Sequence, residues 1–308
     1  MNYVYPKLSE KDLGFVRLGG AGLGNILFTY ARAAVCARDY GYRLIWPTWF
    51  SFKLGPLLRR EMDKRFYNDL FQNNCGAISG IRKLWYLMSK KRVPECEKGH
   101  GDRFDNKIIE FTGFEGCFEE ILYDSAYVRE MLEKNLKKKN RAALTYDFSG
   151  TIGVHIRLGD FGRVSADEVK NGRHDSALPI DWYAGVIRQI REYAGREVKA
   201  CIFSDGTDEE LAPVLALPAV ERISFGTSIA DIMALSRVPL FVASGSSFSM
   251  WARYLGRMSC ICYTNQIKQK ILTEKDSSFE YETDGVIAPE IGERIRDILA
   301  RQKKAGDI

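Results

Sequence analysis

Short apolar segments alternate with segments of helical spacing throughout the second half of the chain. Strands are predicted at 151–157, 198–203, 220–224, 240–244 and 259–263, and helices at 181–194, 208–216, 229–236 and 247–255. Strands that alternate with short helices are typical of an α/β fold with a doubly wound parallel sheet. The isoleucine and leucine spacing over 289–304 predicts a final amphipathic helix that packs back onto one of the domains.

The first half of the chain has a less regular pattern. A short strand is expected at 15–18, then the glycine loop 19–24, a helix over 25–40 and a strand over 42–46. Residues 47–105 give no clear pattern, and a strand at 107–112 precedes helical segments that end near 139. The polar stretch 140–150 predicts a boundary, because a chain of 308 residues is long for one hydrophobic core. We therefore divide the chain into domains 1–145 and 146–270 and a C-terminal tail 271–308.

The composition is that of an ordinary globular protein, with 45% hydrophobic and 28% charged residues. The seven cysteines form no C-x-x-C pair, which favours a reducing compartment over a zinc site or a disulfide framework. The N-terminus has no apolar signal core, and no apolar run approaches the ~18–20 residues of a membrane span. We expect a cytoplasmic protein.

A net charge of +5 is mild, but the basic residues concentrate in two places. The stretch 134–141 is interpreted as a solvated helix end. In the stretch 82–103, lysine and arginine residues surround the apolar patch 84–88. This pattern has three interpretations: an ordinary surface helix, peripheral contact with an anionic membrane, or contact with an acidic glycan. No RNA-binding signature accompanies either stretch, so nucleic acid is not expected as a partner.

Several polar residues lie at the end of the predicted strand 151–157. Because side chains alternate across a strand, His155 and Arg157 point to the same side, and Asp160 follows in the next turn. Ligands of open α/β sheets gather at the carboxyl ends of strands, and the fork of an arginine can hold two phosphate oxygens. The alternative is that Arg157 simply pairs with Asp160.

Two loops lead directly into predicted helices, at 22–25 and 244–249. Free backbone N–H groups and the helix dipole make such loops natural phosphate sites, although serine and asparagine are also ordinary helix caps. Together with the strand end at His155, we expect the two loops to converge in an interdomain cleft.

Other known nucleotide-binding and catalytic motifs do not match the residue spacing of this chain. Gly20 and Gly22 are followed by Asn25, so the dinucleotide fingerprint G-x-G-x-x-G is broken, and no P-loop or G-x-S-x-G elbow occurs. The three histidines have no metal-type spacing and no Asp-x-Asp is present. This pattern predicts that the negative charge of bound phosphate groups is stabilised without a metal ion.

The order of four motifs resembles the bacterial α-1,2-fucosyltransferases, whose superfamily includes protein O-fucosyltransferases and α-1,6-fucosyltransferases. The motifs are Gly-Leu-Gly-Asn before an aromatic-alanine helix, His-x-Arg-x-Gly-Asp, Phe-Ser-Asp at 203–205, and Ser-Ser-Phe-Ser-x-Trp at 246–251. The resemblance spans roughly residues 14 to 262. It implies a GT-B-like fold, with two Rossmann-like domains facing a cleft, an N-terminal acceptor-side domain and a C-terminal domain that binds the nucleotide sugar. It also implies inverting transfer from GDP-fucose to a glycan acceptor without a divalent metal or other cofactor.

The resemblance also implies roles for individual residues. Arg157 is similar to an arginine that grips the β-phosphate and stabilises departing GDP, and Asp231 is similar to an aspartate that binds guanine. The remaining positions resemble nucleotide-sugar contacts; these are Gly24, Asn25, His155, Ser204, Asp205, Ser246, Ser247 and Phe248. Many relatives have a second arginine at the position of Leu158 and a second aspartate at the position of Gly206.

The acceptor hydroxyl must lose a proton. Asp160 is the nearest candidate base in the sequence, and Glu115 and Glu119 are rivals in the N-terminal domain. Three other readings stay open: a transferase that uses another nucleotide sugar, a non-catalytic nucleotide- or glycan-binding module, and an NAD-dependent oxidoreductase, which the broken glycine fingerprint disfavours.

Overall fold

The computed structural model describes residues 1–52, 66–99 and 105–305. The chain forms two compact units, Met1–Arg141 and Ala142–Ile308. The division falls just before residue 145, where the sequence pattern placed the domain boundary. The C-terminal tail is part of the second unit.

The first unit contains a parallel sheet of four strands in the order β4-β1-β7-β6. A separate small sheet joins β2, β3 and β5. The strands are β1 (Tyr3–Pro6), β2 (Lys11–Asp12), β3 (Arg17–Leu18), β4 (Arg43–Leu44), β5 (Ser51–Phe52), β6 (Arg92–Pro94) and β7 (Ile108–Phe111). The α-helices in the described part of this unit are α1 (Leu23–Tyr40), α2 (Gly80–Ser89) and α3 (Ser125–Asn135).

The structure of the first unit differs from the sequence-based expectation at three points. The predicted strand 15–18 is reduced to β3 in the small sheet, and Phe15 is 66% exposed. The sequence pattern missed β1, whose four residues are all buried between β4 and β7. Helix α1 begins at Leu23 rather than at Asn25. It ends as predicted at Gly41, which has a left-handed φ of 64° that glycine adopts without strain.

The second unit has one parallel sheet of six strands in the order β10-β9-β8-β11-β12-β13. The strands are β8 (Ile152–Ile156), β9 (Ala200–Ser204), β10 (Val220–Arg222), β11 (Leu240–Ala243), β12 (Ser259–Cys262) and β13 (Glu280–Glu282). The helices are α4 (Ala166–Lys170), α5 (Ile180–Ala194), α6 (Asp208–Leu215), α7 (Ser228–Leu235), α8 (Ser247–Gly256) and α9 (Pro289–Ala305). The α/β class and the doubly wound parallel sheet are confirmed. The sequence pattern missed α4 and β13.

The tail helix α9 belongs to the core of the second unit. Ile295 and Leu299 are buried in the same apolar cluster as the α5 residues Val186 and Ile190. At Gly292 the two helices approach so closely that an added Cβ would lie 2.1 Å from Cε1 of Tyr193. Glycine at this position therefore permits the contact between α9 and α5.

We expect Gly292→Ala to destabilise the protein by about 1–3 kcal/mol, since the methyl group must displace the Tyr193 ring. Gly185→Ala in α5 is the matched control, because nothing lies within 4 Å of its added Cβ. There alanine should stabilise the helix by about 0.5–1 kcal/mol. Thermal and urea unfolding of both variants measure the difference, and equal effects would contradict the packing argument.

Candidate functional site

The strand order of the second unit creates a crevice between β8 and β11. The chain runs outward from β8 through β9 to β10 on one side, and from β11 through β12 to β13 on the other. Loops that follow β8 and β11 therefore leave the sheet in opposite directions, and ligands of doubly wound sheets bind at this switch point. His155 is the penultimate residue of β8, and the serine loop 244–249 follows β11, so both lie at this edge.

His155 is held by the serine loop. Its Nδ1 lies 2.8 Å from Oγ of Ser249 and 3.0 Å from Oγ of Ser244. The ring of Phe248 stacks on the imidazole at a centroid distance of 4.4 Å. These contacts fix the orientation of the imidazole and close the loop against the end of β8.

The imidazole of His155 is neutral at neutral pH. Burial, reinforced by the neighbouring Arg157 guanidinium, lowers its pKa to about 3. A neutral ring with one nitrogen engaged by hydroxyl groups can donate or accept one hydrogen bond through the other nitrogen. His155 is therefore suited to orient a ligand and not to neutralise a phosphate by its charge.

Arg157 carries the positive charge at this edge, and two carboxylates contact it. It pairs with Asp160 in the following turn, and its Nη1 lies 2.5 Å from Oδ2 of Asp205. The side chains of all three residues are partly exposed. The predicted pair between Arg157 and Asp160 exists, and the second carboxylate comes from the neighbouring strand β9.

Asp205 connects the ends of β8 and β9. Its Oδ1 accepts the backbone N–H of Leu158 at 2.9 Å, while its Oδ2 contacts Arg157. Gly159 leaves room for this carboxylate, because an added Cβ would lie 2.3 Å from Oδ2. The motif Gly159-Asp160 is thus shaped by the packing of Asp205 as well as by the turn.

Ser204 and Asp231 both accept hydrogen bonds from neighbouring residues of their own loops. The hydroxyl of Ser204 accepts the N–H of Gly206 at 3.0 Å. Oδ1 of Asp231 accepts the N–H of Phe225 at 2.6 Å, and Oδ2 accepts the hydroxyl of Ser224 at 3.0 Å. Burial raises the pKa of Asp231 to about 6, against the effect of these hydrogen bonds.

The serine loop provides the N-terminus of α8. Ser246 is the N-cap, and its Oγ accepts the N–H of Ser249 at 3.4 Å, so the cap interpretation holds for this residue. Ser247 and Phe248 occupy the first helical turn and are partly exposed. Their backbone N–H groups point out of the helix end, as in any first turn.

Gly24 and Asn25 lie in the first unit, inside the first turn of α1. The N-cap of this helix is Gly22, which offers no side-chain hydrogen bond. Gly24 is buried and Asn25 is partly exposed. The convergence of this loop with the serine loop stays a prediction.

The rival bases Glu115 and Glu119 line a cavity of about 210 Å³ in the first unit. The Glu115 carboxylate folds back onto its own chain and accepts the N–H of Phe114 at 3.0 Å. Arg32 and Glu95, which form an ion pair at 3.0 Å, also line the cavity. Throughout residues 1–52, 66–99 and 105–305, no three His, Cys, Asp or Glu side chains group closely enough to hold a metal ion.

The stretch 82–103 forms α2 and β6, while its residues 100–103 lie outside the described part of the chain. One face of α2 exposes three large apolar side chains: Ile81 is 85% exposed, Trp85 59% and Met88 87%. Residues 70–94 contain no aspartate or glutamate. None of the described helices is both long and apolar enough to cross a membrane.

Sequence reasoning singled out the serine loop but missed three residues that build the site. Ser244 and Ser249 hold His155, and Gln266 is buried beneath the loop with its Oε1 facing Gly245. The Gln266 amide nitrogen donates to the backbone carbonyl of Val169 at 3.1 Å. The Ser-x₄-Ser spacing at the start of the helix could have indicated Ser244 and Ser249. No pattern in the sequence around Gln266 indicates its place in the site.

A family model described as Glycosyl transferase family 11 matches residues 110–286, more than half of the chain. Comparison with the curated proteins gave no significant match. Among solved structures, the fucosyltransferase NodZ from Bradyrhizobium is 16% identical and covers 82% of this chain and 91% of its own, with a TM-score of 0.48. An Arabidopsis thaliana FUT1 mutant in complex with GDP is 13% identical, with coverage of 85% and 70% and a TM-score of 0.48. POFUT1 in complex with GDP is 12% identical, with coverage of 92% and 98% and a TM-score of 0.47.

We expect Gly159→Ala to destabilise the protein by about 1–3 kcal/mol, because the added methyl group pushes the Asp205 carboxylate from Arg157 and Leu158. Gly162→Ala, in the same loop with open space around its Cβ, should stay within about 0.5 kcal/mol of the parent. In an Asp205→Ala background the cost of Gly159→Ala should vanish. A double-mutant cycle by urea unfolding measures this coupling, and additive costs would refute it.

Proposed function

This chain belongs to glycosyl transferase family 11 and is a glycosyltransferase, and we propose that it transfers fucose from GDP-fucose to a hydroxyl of a glycan acceptor. The observation that carries the proposal is the meeting of His155, Arg157 and the serine loop at the switch point of the parallel sheet. We further propose an α-1,2 linkage, inversion at the sugar carbon, and a place in surface-polysaccharide synthesis in the cytoplasm. The linkage, the inversion and the pathway rest on the motif resemblance, and the cytoplasmic location rests on the cysteine usage.

The donor would lie across the carboxyl ends of β8 and β11. The helix N-terminus at Ser247 and Phe248 favours the diphosphate through its N–H groups and dipole. The neutral His155 and the stacked Phe248 offer an orienting contact and an aromatic surface for the nucleotide. Asp231, whose carboxylate lies after β10, is the proposed guanine contact.

Arg157 is the group that stabilises the leaving diphosphate in this mechanism. In the structure its charge is opposed by Asp160 and Asp205, so the three side chains together are anionic when both acids are ionised. A phosphate that binds Nη2 of the guanidinium would replace the Asp160 contact made there. Asp160 is the more exposed partner, with 44% of its side chain accessible against 32% for Asp205, and Asp205 is also fixed by Leu158.

Displacement of Asp160 links donor binding to proton transfer. The acceptor oxygen attacks the anomeric carbon while the bond from that carbon to the β-phosphate oxygen breaks. The bonding electron pair leaves on GDP, where Arg157 and the α8 N–H groups stabilise it. The hydroxyl proton passes to a carboxylate, and a released Asp160 is our candidate acceptor for it.

We expect Arg157→Ala to reduce kcat with GDP-fucose by ~10²–10³ and to weaken GDP binding far less, because leaving-group charge peaks in the transition state. Arg163→Ala, whose side chain is 76% exposed in the same loop, is the charge-matched control and should change neither quantity more than about twofold. Turnover is followed by GDP release, and binding by the thermal shift with GDP, UDP, TDP and NAD, each with EDTA and with Mg²⁺.

The ligand panel separates the alternatives. A GDP-selective shift that persists in EDTA supports the proposal, and ligand at about a hundred times its Kd should add ~2.7 kcal/mol of stability. A shift with UDP or TDP would replace the donor. GDP binding with no turnover would leave a nucleotide-binding module, and an NAD shift would revive the oxidoreductase alternative.

We also propose that α2 contacts an anionic membrane that carries lipid-linked acceptors. Ile81, Trp85 and Met88 recur at helical spacing on one exposed face. Arg82 and Lys91 flank this face, and no acidic residue between 70 and 94 opposes them. An amphipathic helix with this charge pattern lies in the interface plane of anionic lipid.

We expect the protein to float with phosphatidylglycerol vesicles at low salt, to release at high salt, and not to float with phosphatidylcholine. Combined replacement of Ile81, Trp85 and Met88 by serine should abolish flotation. Tyr123→Ser is the control, since Tyr123 is 83% exposed elsewhere in the first unit. Flotation of the triple variant at the parent level would refute the proposal.

A further inference from the structure

A second and larger cavity of about 470 Å³ lies in the first unit, beside α2. Its volume is in the range of small-molecule sites, and such sites combine apolar walls with a few placed polar groups. The lining residues are Gly14, Phe15, Trp46, Pro47, Thr48, Trp49, Phe50, Asn68, Phe71, Ser79, Gly80, Ile81, Lys83 and Leu84.

The aromatic wall of this cavity is rigid. Trp49 packs on Phe71 at a ring-centroid distance of 4.5 Å, and Tyr30 meets both Trp46 and Trp49 edge-on from behind. Phe50 is 42% exposed at the surface. Fixed rings of this kind bury the C–H face of a pyranose at little cost in side-chain entropy.

Trp49 also offers an unused hydrogen-bond donor. The residue is 5% exposed, and its Nε1–H has no acceptor in the described part of the chain. A buried indole N–H normally finds a partner, since leaving it unpaired costs free energy. A ligand oxygen in the cavity would satisfy it.

Lys83 brings a buried cation to the same cavity. Its side chain is 4% exposed, and its Nζ donates to Oγ1 of Thr48 at 2.8 Å and lies 5.0 Å from the ring centroid of Tyr5. An ammonium has three N–H donors, and only this one hydrogen bond of Lys83 occurs among the described residues. Burial lowers the pKa of Lys83 to about 8, so most of the population is charged at neutral pH.

Within the described residues, the carboxylate of Asp12 is linked to Lys83 through two hydroxyl groups. Oγ1 of Thr48 lies 3.0 Å from the hydroxyl of Tyr5, which donates to Oδ2 of Asp12 at 2.7 Å. Asp12 is also bonded to the N–H of Gly14 at 2.8 Å. No carboxylate in the described chain contacts the ammonium directly, and a buried cation without such a partner is costly.

We propose that this cavity binds an acidic pyranose, a sugar of the uronic-acid class, with its ring against Trp49 and its carboxylate on Lys83. The ligand would supply an anion, which no described residue places on the ammonium, and an oxygen for the indole N–H. The inference rests on the proposed function in one respect: it takes this sugar to be part of the glycan acceptor.

The test compares methyl β-D-glucuronide with methyl β-D-glucopyranoside, its neutral counterpart, by saturation-transfer NMR titration. The parent protein should bind the glucuronide about tenfold more tightly, the value of one charge-assisted hydrogen bond. Lys83→Met should remove this preference, and Trp49→Phe should weaken both sugars. Lys134→Met removes an exposed charge from the end of α3 in the same unit and should leave both affinities unchanged.

Thermal unfolding checks that each variant is folded, and Lys83→Met should be no less stable than the parent because it removes a buried charge. Absence of glucuronide binding, equal affinity for the two sugars, or an unchanged preference in Lys83→Met would overturn the inference. The GDP shift is measured on the same samples. If the GDP shift is retained but the glucuronide does not bind, only this inference is refuted. If the glucuronide binds but no nucleotide causes a shift, the proposed GDP-fucose donor is refuted and the assignment of the cavity stands.

Discussion

The site at the switch point depends on one carboxylate, that of Asp205. One of its oxygens meets the guanidinium of Arg157 at 2.5 Å, and the other accepts the N–H of Leu158 at 2.9 Å. Because Asp205 follows β9 and its partners follow β8, the carboxylate ties together two strand ends that are far apart in the sequence. The loop that carries Asp160 is therefore held by a neighbouring strand, and Gly159 is needed for the carboxylate to fit.

Two buried cations of this chain, Arg253 and Lys83, are partnered differently. Arg253, in the last turns of α8, pairs directly with Glu280 of β13, and the side chains of both are almost fully buried. This pair anchors the C-terminal end of the helix whose N-terminus carries the serine loop. Among the described residues, Lys83 of the first unit contacts no carboxylate and is linked to Asp12 through Thr48 and Tyr5. A paired buried charge fits a structural role, whereas an incompletely partnered one that lines a cavity fits a ligand role.

The second unit was the more predictable half, for a physical reason. Strands of a parallel sheet that is covered on both faces are continuous apolar runs, as in β8, β11 and β12, whose residues are all buried. The first unit offers weaker signals. Its β1 is short and ends in proline, and the apolar residues of α2 that face solvent would normally be assigned to the core. Local pattern cannot say which apolar face has a neighbour.

The sequence alone determined the order of strands β8 to β12 with helices α5 to α8 between them, the polar strand end at His155 and Arg157, and the serine cap of α8. These features depend on side-chain periodicity and on contacts a few residues apart. Only the tertiary structure decided that Arg157 has a second carboxylate partner in Asp205, and that Lys83 is buried while Lys91 is exposed. Those outcomes depend on which distant segments pack together, and the local sequence pattern does not predict that packing.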